Sequence, residues 1–121
     1  MYYITVEKTF DAAHYLQGYK GKCEKLHGHS YRVAATLSAR KLDDTGLAYD
    51  FTELKKQLGG ILEKYDHNAL NEVPHFNKIN PSAENIARVI FDNLAPAVKG
   101  EANLVSVEVW ESPTSHVLYK P

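Results

Sequence analysis

The chain has 121 residues, which suits one domain spanning 1–121 and is too short for two of ordinary size. Its 44% hydrophobic and 24% charged residues describe a globular protein that buries roughly two thirds of its unfolded surface on folding. Fourteen Lys and Arg against fifteen Asp and Glu leave a formal net charge of -1, which excludes a general nucleic-acid or anionic-membrane binder and requires any anion to be held by a local basic cluster.

Residues 2–10 alternate, with Ile4 and Val6 on one side and Thr5, Glu7 and Thr9 on the other, and predict a strand with one wetter face. Residues 11–28 hold three of the glycines and no sustained period, and read as a long irregular connection of the kind that carries function in small domains. Alternation resumes from His29 to Ala39 and stops at a turn marked by Asp43, Asp44 and Gly46. Asp50, with Glu53 three residues on, opens an amphipathic helix over 51–64. Gly59 and Gly60 inside it are expected to be explained by close approach to a sheet. Ser82 caps a second helix over 83–95, weakened at Pro96. Val105, Val107 and Val109 then begin a terminal hairpin closed by His116 to Tyr119. The order ββααββ is that of an α+β protein: a four-stranded antiparallel sheet with both helices on one face and the other face sealed by self-association.

The chemistry concentrates between His14 and His29. In His27-Gly28-His29 the imidazoles are two residues apart, so in extended backbone they leave by one face and can converge on one ion. His14, leaving the first strand beside them, makes a three-histidine site suited to Zn²⁺ with one coordination position open, against the alternative of polar strand-end residues. Cys23, the only cysteine, excludes an internal disulfide framework. With no early apolar segment and no apolar run near 18 residues, the chain reads as soluble and cytoplasmic. Cys23 is a candidate general base whose pKa a nearby cation would lower; alternatively it completes a closed Cys-His₃ site. Asp66-His67 can relay protons or simply end the first helix, and adjacent residues do not normally face one another. Glu111, at a strand end, can accept two parallel hydrogen bonds from an amino-pyrimidine edge or remain solvated. Lys20, Lys22 and Lys25 form a basic loop that could hold a phosphate-bearing substrate, while His75 and His116 have no context that assigns them a role.

The set Phe10 to His14, Cys23 to His29, Asp50-Phe51, Asp66 to Asn71, Pro81 to Asn85 and Glu111 resembles the 6-pyruvoyl-tetrahydropterin synthase family over nearly the whole chain. The Cys-x₃-His-Gly-His spacing is most similar to its 6-carboxy-5,6,7,8-tetrahydropterin synthase branch, which acts in queuosine precursor biosynthesis. Glu24-x₂-His-Gly-His also resembles a branch forming 6-hydroxymethyl-dihydropterin, and Ser82 stands where other members often have Thr. The resemblance implies the tunnelling fold (T-fold), an oligomeric barrel in which sheets of three subunits close twelve strands and two trimers stack into a hexamer. It implies Zn²⁺ on His14, His27 and His29, a catalytic thiol at Cys23, and a proton relay of Asp66 and His67 from a neighbouring subunit. Glu111 would anchor the pterin, and the substrate would be 7,8-dihydroneopterin triphosphate. A reading from another class is a zinc-stabilised module that binds a pterin or purine without turning it over.

Overall fold

The computed structural model describes residues 1–18 and 25–121. Cys23, Glu24, Lys20 and Lys22 therefore lie outside the described residues.

Strands β1 (Tyr2–His14) and β2 (His27–Ala39) pair antiparallel along their whole lengths, from Tyr2 opposite Ala39 to His14 opposite His27. Helix α1 (Phe51–Leu62) follows, then β3 (Asn68–Ala69), helix α2 (Ala83–Leu94), β4 (Asn103–Ser112) and β5 (Ser115–Tyr119). The sheet order is β3-β1-β2-β4-β5. It corrects the expected four-stranded antiparallel sheet: among the described residues there are five strands, because the two-residue β3 lies parallel to β1, Asn68 beside Ala12 and Ala69 beside Ala13. A strand this short shows no alternation, so periodicity cannot reveal it.

β1 also runs four residues further than the alternation predicts. Asp11, Ala12 and Ala13 have weak strand propensity, but Ser30, His29 and Gly28 opposite them supply the ladder, and tertiary pairing overrides propensity. The supposed loop thereby loses both ends to the sheet, and β2 begins at His27.

α1 packs against β1, and α2 against β4 and β5, both on one face. Leu54, Leu58 and Leu62 of α1 and Ile86, Ala87, Ile90 and Leu94 of α2 join Val6, Phe10, Val107 and Val109 of the sheet in one continuous core. Asp50 caps α1 through the Thr52 amide, 2.9 Å. Glu53 does not complete the box: its carboxylate lies 3.4 Å from the Lys99 ammonium instead. Ser82 caps α2 as expected, accepting from the Asn85 amide at 3.2 Å. Of the two glycines in α1, a side chain at Gly59 would meet only the end of Lys8 from the sheet, and one at Gly60 would meet nothing within 4 Å, so close sheet approach does not explain Gly60.

The opposite face of the sheet carries polar cross-strand pairs. Thr5 and Thr36 hydroxyls are 2.7 Å apart, Arg32 bonds Glu7 at 2.8 Å and lies 3.8 Å over the Trp110 ring, and Trp110 stacks on His116. These pairs stabilise the ladder while leaving the face wet.

Candidate active site

The β1–β2 register builds the histidine cluster. His14 opposes His27, and Ala12 opposes His29, so the even positions of β1 and the odd positions of β2 share the helix-side face. Ring centroids are 4.6 Å (His14 to His27), 5.1 Å (His14 to His29) and 4.8 Å (His27 to His29). One ligand atom from each lies within 4.8 Å of the others, so the three could hold a metal ion.

Backbone carbonyls set the tautomers. His14 Nδ1 lies 2.6 Å from the Pro81 carbonyl oxygen, and His27 Nδ1 2.7 Å from that of Lys25. A carbonyl only accepts, so each Nδ1 carries the proton and each neutral ring offers a bare lone pair at Nε2. Those two Nε2 atoms are 3.1 Å apart, and the Glu111 carboxylate stands 3.3 Å from His14 Nε2 and 3.7 Å from His29 Nε2. Electron-rich atoms at these spacings need a proton or a cation between them. A proton is disfavoured: burial holds His14 below its ordinary value, despite the Pro81 carbonyl and Glu111, and burial likewise lowers His29. The donor set therefore fits a divalent cation, with imidazoles oriented from outside as metal-ligating histidines are.

Asp66 and His67 form a second constellation. His67 has φ 59°, a left-handed backbone uncommon for a non-glycine residue. That conformation turns its ring back on its neighbour, so Nδ1 lies 3.0 Å from Asp66 Oδ2, and the two adjacent residues do face one another. β1 holds the pair in place: the Asp11 amide donates to Asp66 Oδ1 at 2.9 Å, and the His67 amide donates to the Asp11 carbonyl at 2.6 Å. The Asp11 amide keeps the Asp66 carboxyl below the usual carboxylate range, and His67 adds to the shift. His67 borders a groove of about 550 Å³ that Asp11, Ala13, Ser30 and also His29 line, and the ligand atoms of Asp11, Asp66 and His67 lie within 4.8 Å of one another. Asp11 is an odd position of β1, so its carboxylate, beside which Asp66 and His67 gather, leaves the sheet by the face opposite to that of His14.

Three residues had no role assigned from the sequence, although Asn71 closes the Asp66 to Asn71 motif. Tyr31 follows His29 by two on the same face, so period-two spacing carried the signal; its hydroxyl is buried with no hydrogen-bond partner among the described residues. Burial pushes its phenol well up, and the charge of Glu111 adds to this. Asn71 and Asn80 bracket the chain as it leaves β1, each side-chain amide bonding both the N–H and the C=O of one residue: Asn71 with Tyr15 at 3.0 and 3.0 Å, Asn80 with Gln17 at 2.9 and 2.9 Å. No spacing rule points to such brackets. Lys25 is exposed and serves the site through its carbonyl. His75 accepts from or donates to the Tyr65 hydroxyl at 2.8 Å.

Fold and site together define a class: a helix-backed sheet with a three-imidazole centre able to take a cation and a separate carboxylate–imidazole pair on its edge. A family model described as 6-pyruvoyl tetrahydropterin synthase matches residues 3–121. The chain belongs to the 6-pyruvoyl tetrahydropterin synthase family and is a lyase-type enzyme of it. It is 38% identical over 124 residues to the 6-carboxy-5,6,7,8-tetrahydropterin synthase of Synechocystis, covering 98% of this chain and 93% of that protein. The protein of the same name from Bacillus subtilis is 35% identical over 118 residues, covering 91% of this chain and 79% of the relative. Among solved structures, 6-pyruvoyl tetrahydropterin synthase from Caenorhabditis elegans superposes with a TM-score of 0.86 at 31% identity, covering 100% of this chain and 97% of that one.

Proposed function

We propose that the protein, acting as one domain over 1–121, converts 7,8-dihydroneopterin triphosphate to 6-carboxy-5,6,7,8-tetrahydropterin, acetaldehyde and triphosphate, in queuosine precursor biosynthesis in the cytoplasm. The observation that carries the reading is the convergence of His14 and His27 Nε2 lone pairs, their Nδ1 protons committed to Pro81 and Lys25, on a space shared with His29. The relatives named for the carboxy product and the Cys23-x₃-His27 spacing support that product over the pyruvoyl one. No helix is long and apolar enough to cross a membrane.

In this reading His14, His27 and His29 hold Zn²⁺. Bound zinc supplies Lewis-acid chemistry, lowering the pKa of substrate side-chain hydroxyls. Glu111 accepts hydrogen bonds from the amino-pyrimidine edge of the pterin. Cys23 as thiolate and His67 move protons between side chain and ring. Asp66 accepts from His67 Nδ1, which leaves Nε2 of an exposed ring as the proton-transfer atom. A neighbouring copy supplies His67, a reading supported by the pair's place beside Asp11, whose side chain leaves the sheet by the face opposite to that of His14. The assembly is a homo-oligomer, a hexamer formed as a dimer of trimers.

The test is product analysis by mass spectrometry after incubating the zinc-loaded protein with 7,8-dihydroneopterin triphosphate. A 6-carboxy-tetrahydropterin with stoichiometric acetaldehyde is expected. A pyruvoyl pterin or 6-hydroxymethyl-dihydropterin as sole product would refute the assigned branch, and unchanged substrate would favour a binding module.

A further inference from the structure

Tyr31 occupies a position where phenylalanine would satisfy the packing. Its ring stacks on Phe10 at 4.8 Å and 12°, across the Phe10–Tyr31 pair of β1 and β2. On its other sides the ring meets His14 edge-on at 5.8 Å and His29 at 5.4 Å. The residue is 0% exposed, so it forms the wall between the apolar core and the imidazole centre. Its hydroxyl is nevertheless unpartnered among the described residues, a buried polar group that folding alone would select against.

The register sets what stands beside Tyr31. Arg32 pairs with Trp110 on β4, so the next row outward sets Glu111 beside Tyr31 on the helix-side face. The Glu111 carboxylate is drawn onto the Nε2 atoms of His14 and His29. Acceptors and donor are thus gathered at one place: the Nε2 lone pairs of His14 and His27 and a carboxylate that can only accept, and, on the ring packed against His14 and His29, one hydroxyl with a proton to give.

We propose that the Tyr31 hydroxyl is a catalytic hydrogen-bond donor to the oxygen atom that takes the coordination position left open by His14, His27 and His29, a water at rest and a substrate side-chain hydroxyl during turnover. This role rests on the metal reading of the same three imidazoles. The donor steadies negative charge as that oxygen loses its proton, and it orients the oxygen relative to Glu111. No other described side chain offers a buried donor without a partner.

The experiment compares wild-type and Tyr31→Phe protein, each metal-free and loaded with Co²⁺ as a spectroscopic stand-in. Metal-free Tyr31→Phe is expected to melt at or above the wild-type temperature, since an unmatched hydroxyl is removed without loss of volume. In the cobalt form, the pH midpoint of the visible absorption change that reports ionisation of bound water should rise by about one unit, a tenfold loss in acidity. In the zinc form, kcat should fall about 10- to 100-fold while KM stays within about threefold, the signature of an interaction made mainly in the transition state. Identical cobalt titrations with unchanged kcat would overturn the proposal alone. A metal-free variant melting well below wild type would show a structural partner for the hydroxyl and overturn it as well. Wild-type protein that takes up no stoichiometric cobalt would overturn the metal reading and this proposal together.

Discussion

His67 shows how one backbone angle makes a functional group. At φ 59° its imidazole returns to the carboxylate of the residue before it, 3.0 Å from Nδ1 to Oδ2. The constraint comes from the Asp11 amide and carbonyl on β1, fifty-five residues earlier for Asp66, so the motif was legible in the sequence while its geometry was not. His14, His27 and His29 are the opposite case, because period-two spacing alone predicts their shared face. If His67 moves protons as proposed, His67→Ala should lower kcat by about 10²- to 10⁴-fold without changing zinc content, measured by steady-state assay beside metal analysis. The imidazole cluster also sets a pH dependence. Burial lowers His14 and His29 below 6.5, so the unfolded chain binds more protons than the fold between those lowered values and 6.5. Stability of the chelated protein should therefore be fully present above about pH 6.5 and decline as pH falls through that window, seen as a lower urea midpoint at pH 5 than at pH 7.5.

At the level of elements, patterning located both helices and four strands within a few residues, because each has a buried face that the sequence must encode. It failed at the ends of β1 and β2 and at β3, where Asp11 to Ala13, Gly28 and Asn68-Ala69 pair by backbone alone. Those failures fall around the site. The strand extension carries His14 to a place opposite His27, and β3 returns the chain to the sheet directly after His67. α1 offers a sharper test of what glycine costs a helix. A methyl group at Gly60 would touch nothing within 4 Å, and the residue sits at ordinary helical φ, so Gly60→Ala should raise stability by about 0.5–1 kcal/mol in chemical denaturation. Gly59→Ala should gain less, since the Lys8 ammonium, 2.9 Å from the added atom, must swing away.

For the molecule as a whole, the sheet is both scaffold and partition. Its helix-side face holds the core and the imidazole centre; its other face holds the polar pairs from Thr5 to His116 and the Asp11 carboxylate beside which Asp66 and His67 gather. Nothing in the alternation of one chain could reveal that the two constellations belong to different faces, because His67 enters through a turn rather than a strand. If the centre of one copy is served by the pair of another as proposed, mixing inactive His29→Ala and inactive His67→Ala protein under subunit exchange should restore activity. Up to about a quarter of the sites would be intact when copies assort at random. No recovery after exchange verified by native mass spectrometry would place both constellations of a working site in one chain. A protein that lends a group to one neighbour and borrows it from another would have a further arithmetic. In any open-ended row, the first copy lends to nobody and the last goes unserved, whereas a circle leaves no idle half at all. The fewer the members, the larger that wasted fraction, so selection for output alone favours closing a short row into a circle.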